Sequence, residues 1–356
     1  MYGLIMAGGV GKRFWPWSRG KNPKQFLKIS ENKTMLRKTF ERLISLMEPD
    51  KVFIVTNKMQ KKKILLDIPE IPEVNIVVEP FGKDTAPCIG LGSLFTMLKD
   101  PEAVQLVLPA DHLIKDEKLF TNIVKKAVNF VERKNCLMTI GIKPTRPETG
   151  YGYIQYEIPK KEKKRYQVFK VKTFAEKPNL ETAERFLESG DFLWNSGIFI
   201  WKVKTILKEI ENSLPELYEG LMNINKYINT KYYNTILRRV YKQIKSISID
   251  YGVMEKAEDV WVIKGDFGWS DIGSWEEFYN LGEKDKDLNV INGKGVLLDS
   301  TGNLILSDKR FIAGIDLKDL VIIDTKDAVL IVPRDKCQKV KELVDYLRKK
   351  NMKEIL

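Results

Sequence analysis

Within its first thirty residues this 356-residue sequence gathers the side chains best suited to handling a charged group. An apolar run, Leu4, Ile5, Met6 and Ala7, opens into Gly8, Gly9, Val10, Gly11, Lys12 and Arg13, and Pro23, Lys24 and Gln25 follow. Glycine has no side chain, so backbone N–H groups come close to an anion there, while Lys12, Arg13 and Lys24 offset its charge. The pattern reads as a polyphosphate cradle at the end of a buried strand. A glycine turn without a ligand is the competing reading of this cluster taken alone. Two familiar phosphate-binding spacings are absent: the dinucleotide fingerprint GxGxxG with an acidic residue about twenty positions on, and the Walker loop GxxxxGK followed by Ser or Thr.

Two acidic residues stand where a hard cation would need them. Asp111 directly follows an apolar run, in Leu108, Pro109, Ala110, Asp111, His112, and Asp271 lies among small neighbours, Ser270, Gly273 and Ser274. Mg2+ prefers oxygen ligands and commonly bridges one or two carboxylates to phosphate. By itself Asp111 also reads as a turn residue capping the next segment. His112 is the single histidine, which excludes any site built from several.

The elements that must carry these residues alternate. Apolar runs at 2–7, 52–56, 75–78, 104–109 and 136–140 have the length of buried strands, and amphipathic stretches at 35–47 and 120–133 separate them. That order predicts an α/β fold with a doubly wound, mostly parallel sheet whose strand C-termini open onto a ligand crevice. Residues 151–174 alternate as antiparallel strands do, and 199–249 read largely as helix. After a charged stretch at 283–287, short Val, Leu and Ile triplets recur between 289 and 333 among Gly, Asp and Asn. A small β-solenoid and an ordinary antiparallel sheet both fit that rhythm. Residues 336–350 read as a closing amphipathic helix.

Bulk composition narrows the class. The 43% hydrophobic content supports a packed core, and no apolar run reaches the length of a membrane span. The chain opens on a strand-like segment without a basic, apolar leader, so a cytoplasmic protein is expected. The net charge of +12 is dispersed, with local runs only at 61–63 and 160–165, and reads as a solvated surface, not as a nucleic-acid or membrane interface. Cys88, Cys136 and Cys337 lie far apart without metal-ligand spacing and are expected as free thiols.

The stretch 8–26, GGVGKRFWPWSRGKNPKQF, resembles the signature of the sugar-nucleotide pyrophosphorylases, approximately GGxGxRLxPLxxxxxPKQ, with Phe14 in place of Leu and Trp15 and Trp17 at apolar positions. Further segments resemble that family in its own order: GKDTAP from Gly82, PADH from Pro109, TGYGYI from Thr149, FAEKP from Phe174, WNSGIF from Trp194, SIDYGVMEK from Ser248 and SDIGSW from Ser270. Within the family the set is most similar to the mannose-1-phosphate guanylyltransferases. The resemblance implies a Rossmann-like nucleotide-diphospho-sugar transferase domain at 1–282, a short left-handed β-helix at 288–335 and a terminal helix at 336–356.

The implied activity is transfer of GMP from GTP to mannose 1-phosphate, by direct in-line attack with Mg2+ and without a covalent intermediate. Another specificity, such as glucose 1-phosphate with thymidine triphosphate, is the alternative. The resemblance assigns catalysis to Arg13, Lys24, Asp111 and Lys177, and metal binding to Asp111 and Asp271 in preference to Asp266. It assigns the nucleotide to Ala7, Gly8, Gly9, Gly11, Lys12, Lys83, Asp84, Thr85, Pro109 and His112. Gly150, Tyr151, Glu176, Lys177, Asn195 and Asp250 fall to the sugar phosphate. Lys83 and Asp84 replace the family's Arg and Asn, and because Asn and Asp differ in donors and acceptors, base preference is the point these departures touch. A homodimer through the β-helix is expected. Some family members carry a further isomerase barrel; with this length and one histidine, no mannose-phosphate isomerase activity is expected.

Overall fold

The computed structural model describes residues 1–9, 11–30, 33–158 and 168–356, so the basic run at 160–165 lies outside the described residues. The chain forms two compact units, Met1–Gly8 with Leu36–Trp269, and Gly9–Met35 with Ser270–Leu356.

The larger unit is built on one nine-stranded sheet: β1 (Tyr2–Ala7), β2 (Val52–Asn57), β3 (Ile76–Glu79), β4 (Val104–Pro109), β5 (Leu137–Ile142), β6 (Gly152–Tyr156), β7 (Val168–Glu176), β8 (Phe192–Lys202) and β9 (Val260–Gly265). Their spatial order is β3-β2-β1-β4-β8-β5-β9-β7-β6, with β6 also pairing β8. The stretch β3-β2-β1-β4 is parallel throughout. Leu4, Ile5, Ile54, Val55, Leu106 and Val107 are all fully buried, because helices cover both faces of such a sheet and leave no polar side. Helices Val203–Ser213, Pro215–Asn225 and Tyr233–Gln243 contribute Ile206, Ile210, Leu221, Ile224 and Tyr241 to that core.

One departure from the sequence expectation lies here. The helical region begins at Val203, not at 199, because Ile198, Phe199, Ile200 and Trp201 complete β8. That strand inserts antiparallel between β4 and β5, and its pairing shifts register between Asn195 and Phe199 where Gly197 takes φ +68°. A positive φ suits glycine at such an irregularity.

In the second unit the recurrent triplets form parallel coils. Strand β10 (Val290–Asn292) pairs β12 (Leu304–Ser307), which pairs β14 (Leu320–Asp324), and β11 (Gly295–Leu298) pairs β13 (Ile312–Ile315), all parallel. Strand β15 (Val329–Pro333) then adds antiparallel to β14 and ends the stack. Val290, Leu304 and Val321 fall in register and are buried, so the solenoid, not the antiparallel sheet, satisfies the rhythm.

The asparagines among the triplets hold one coil to the next. Asn303, fully buried, donates its amide to Asn289 Oδ1 at 2.9 Å and to Leu317 O at 3.0 Å, and accepts from Leu320 N at 3.0 Å. Each of these bonds meets a backbone or amide group that burial would otherwise leave unpaired.

The bulky signature residues belong to this second unit. Phe14 packs on Trp275 at 4.6 Å between ring centroids, and Trp17 lies 5.9 Å from Trp275 and 5.8 Å from Phe278. Trp275 donates its indole N–H to Trp15 O at 3.3 Å, and Trp15 donates its own to Ile355 O at 2.8 Å. The expected terminal helix is Val340–Lys349, preceded by a tighter turn at Arg334–Lys339. Cys88, Cys136 and Cys337 are buried free thiols. Among the described residues no helix is long and apolar enough to cross a membrane.

Candidate active site

Parallel pairing of β1 with β4 brings two of the singled-out loops to one sheet edge. Met6 stands opposite Pro109, and Ala110 N donates to Met6 O at 3.1 Å, so Ala7 and Gly8 emerge beside Ala110 and Asp111. Thr56, at the end of β2, donates to Ala7 O at 2.9 Å and fixes the exit of β1.

At the end of β3 lies a carboxylate that the sequence reading passed over. Glu79 is 3% exposed, accepts from the Tyr241 hydroxyl at 3.0 Å, and places Oε2 3.5 Å from where a β-carbon on Gly8 would sit. Burial pushes its carboxyl up to about 7, although the Tyr241 bond acts in the opposite sense. Its position directly after an apolar strand, as with Asp111, was the available signal. On the same side Asp84, at φ +70°, caps helix Thr85–Lys99 by accepting Thr85 N at 2.8 Å. Thr85 Oγ1 accepts Ile249 N at 2.8 Å, and Lys83 gives its ammonium to Ile244 O at 2.8 Å.

His112 turns toward an aromatic cluster. Its Nδ1 accepts the Trp269 indole N–H at 3.2 Å, with the rings edge to face at 5.4 Å. Trp269 in turn meets Tyr151 at 5.3 Å, and Tyr151 meets Trp194 at 5.1 Å. An imidazole whose Nδ1 accepts a hydrogen bond carries its proton on Nε2, 4.0 Å from Asp111 Oδ1.

A second polar group forms around Glu176. Its side chain, 8% exposed, pairs with the Lys177 ammonium, and the absence of a side chain on Gly152 makes room for its Oε2. Lys177 stands at φ +49°, with its N–H given to Tyr151 O at 3.2 Å. Burial works to lower the Lys177 ammonium, but its bond and charge contact with Glu176 outweigh that and hold it above its ordinary value. Asn195 donates to Asp250 Oδ1 at 2.7 Å while its own Oδ1 accepts from Thr139 at 3.0 Å and Gly197 N at 3.2 Å. Burial first, and Glu176 second, push the Asp250 carboxyl up to about 7. Glu176, Lys177, Asn195, Asp250 and Tyr151 are thus neighbours, and Gly150 is fixed nearby by its N–H to Glu148 at 2.9 Å.

The remaining candidates sit in the second unit. Gly11 takes φ +72°, and a β-carbon there would stand 2.5 Å from Lys24 Cβ, so only glycine lets the Pro-Lys-Gln segment close on the loop. Lys24 is 5% exposed; its ammonium donates to Asp271 O at 2.5 Å and lies 5.6 Å from the Phe14 ring centre. Arg13 reaches Gly273 O at 3.4 Å, and Lys12 pairs with Asp345 at 3.0 Å. A β-carbon on Gly273 would lie 3.0 Å from Asp271 Oδ2, so the small neighbour keeps that carboxylate uncrowded. Asp111 and Asp271 supply hard oxygen donors only. Among the described residues no group of three or more His, Cys, Asp or Glu side chains is placed to hold a metal ion.

The nucleotidyl transferase family model matches residues 2–287, and a mannose-phosphate isomerase/GMP-like β-helix domain matches 293–347. A mannose-1-phosphate guanylyltransferase of Escherichia coli is 39% identical over 99% of this chain and 76% of its own length. One from Salmonella muenchen is 37% identical over 99% and 74%. A crystal structure from Thermus thermophilus, described as a mannose-1-phosphate geranyltransferase, superposes with a TM-score of 0.87 at 34% identity, covering 98% of this chain and 99% of that one.

Proposed function

The chain belongs to the nucleotidyl transferase family, among the mannose-1-phosphate guanylyltransferases, and from that membership we propose that it transfers GMP from GTP to mannose 1-phosphate, releasing pyrophosphate. The sugar phosphate is already ionised, so no general base is required; the protein must align it with the α-phosphorus and offset charge. The loop from Gly8 to Arg13, with Lys24, takes the triphosphate. Glu176, Lys177, Asn195 and Asp250 take the sugar phosphate, Lys177 offering a point charge and the carboxylates accepting from hydroxyls. Asp111, at the end of β4, would hold the divalent cation, Mg2+ in this reading. When bound, that ion offsets phosphate charge as a Lewis acid.

The observation that carries guanine is Glu79 beside Gly8. Guanine presents two adjacent donors, N1–H and the 2-amino group, and a carboxylate accepts both. Thymine presents one N–H between two carbonyls, which a carboxylate repels, so the thymidine alternative fits this residue poorly. The test is kcat/KM for GTP, inosine triphosphate and thymidine triphosphate in the unaltered protein and in Glu79→Gln. The substitution lowers kcat/KM for GTP by about a hundredfold and narrows the preference for GTP over the inosine nucleotide, which lacks the amino group. Because acceptance needs the ionised carboxylate, KM for GTP rises as pH falls through about 7, and Glu79→Gln loses that dependence. An unchanged base preference in the variant would refute the assignment.

The chain self-associates through its β-helix. Val296, Leu298 and Ile315 on the β11–β13 face, and Val329 and Ile331 on β15, are exposed apolar side chains. They lie on two separate sheets, and a second copy covers the β11–β13 one by meeting it with its own in a two-fold dimer. Sedimentation at micromolar concentration gives a dimer, and Ile315→Lys with Ile331→Lys gives a monomer; a monomer without substitution ends this reading.

A further inference from the structure

Beneath the loop that presents Asp111 lies a charged residue that no step above uses. Arg42, on helix Met35–Ile44, is 4% exposed. Its Nη1 donates to His112 O at 3.3 Å and to Thr39 Oγ1 at 3.2 Å, and the Thr39 hydroxyl donates to Ala110 O at 3.5 Å. The carbonyls immediately before and after Asp111 are therefore both held from the same helix. Arg42 Nε also lies 3.4 Å from Glu117 Oε1, at the start of helix Glu117–Lys134, while that buried Nε makes no hydrogen bond. One guanidinium thus meets both ends of the segment from His112 to Glu117.

A buried cation is costly unless its bonds compensate, and an apolar side chain of similar volume commonly fills such a position at no loss of stability. Here the bonds are long and one donor is unused, so packing by itself gives little reason for the charge. The reason lies in what the bonds hold. Asp111 projects from a loop between β4 and the next helix, and a loop carboxylate is only as well placed as its backbone.

We propose that Arg42, assisted by Thr39, is a positioning residue that fixes the backbone on both sides of Asp111 and so sets where that carboxylate meets the divalent cation. The inference rests on the reading of Asp111 as a metal ligand. Partners behind a ligand typically change metal affinity by ten- to a hundredfold, about as much as expected here.

The experiment measures Mn2+ binding to the full-length protein in excess over GTP, from the paramagnetic resonance of the free ion. Arg42→Met, which keeps volume, weakens Mn2+ about tenfold, and Thr39→Val weakens it less. Arg42→Lys recovers part of the loss, and KM for mannose 1-phosphate stays level. Thr39→Val provides the measurement should Arg42→Met fold poorly. Weakened Mn2+ in Asp111→Asn with none in either clamp variant, whatever their melting temperatures, overturns the proposal alone. Unchanged Mn2+ binding in Asp111→Asn overturns the metal reading and the proposal with it.

Discussion

Asp111→Asn lowers kcat for sugar-nucleotide formation by about a thousandfold while the melting temperature stays within a degree or two of the unaltered protein. The substitution keeps the shape of the side chain at the end of β4 and removes its charge. Asp111 is a partly exposed loop residue outside the buried core, so folding has little stake in it. Turnover has a large one, because a carboxylate that holds a cation against phosphate acts on charge that is redistributed as the bond is made. Steady-state pyrophosphate release over a range of Mg2+ concentrations is the measurement. Excess Mg2+ recovers only part of the rate, since the amide binds the ion weakly and leaves one charge uncompensated. A rate within about threefold of the unaltered protein would remove Asp111 from the machinery.

Lys24→Met has a comparable effect on rate and a further one on stability. The ammonium of Lys24 holds the carbonyl of Asp271 at 2.5 Å, in a setting where only 5% of the residue is exposed. Methionine fills the space under Gly11 and against Phe14 but leaves that carbonyl without this donor, which costs about 1–3 kcal/mol of stability. On the reading that Lys24 serves the triphosphate, loss of its charge costs kcat about a further hundred- to thousandfold. The two effects separate by measurement: the melting temperature reads the first, and kcat at a temperature where the variant is fully folded reads the second. Near-normal turnover in a folded Lys24→Met protein would leave Lys24 as a structural tie between the signature loop and the segment of Asp271, with no part in the chemistry.

Much of the architecture could be read along the chain because the physics is local. A strand buried on both faces must be apolar at consecutive positions, and β1, β2 and β4 are visible as such runs. Residues that follow them directly, Gly8 and Asp111, must lie at a sheet edge, and parallel pairing puts them at the same one. The coils of the second unit follow from triplets at a spacing that stacks Val290, Leu304 and Val321, though the choice of coil over hairpin depended on pairing partners far apart in sequence. The strand β8 was legible only in part: the apolar run of Ile198 to Trp201 is equally short for helix or strand, and its place between β4 and β5 decides the matter.

Side-chain partners were less legible. Glu79 looks like any acidic residue at the end of a strand until Tyr241, far along the chain, takes one of its oxygens and Gly8 leaves room beside the other. Arg42 sits in a helix whose sequence gives no sign that its guanidinium is buried against the carbonyl of His112. The signature loop itself is ambiguous in one respect: its glycines read as room for an anion, while its tryptophans belong with Trp275 and the carbonyl of Ile355.

Sequence alone carried the class of chemistry through the ordered set of segments that resemble the sugar-nucleotide pyrophosphorylases, since the glycine cluster and Asp111 taken singly also read as turns. Tertiary structure decided which buried charges face one another, because burial and hydrogen bonding depend on neighbours that only the folded chain supplies. Burial pushes the carboxyls of Glu79 and Asp250 up to about 7 against the hydrogen bonds they accept, and no stretch of residues read in isolation carries that information.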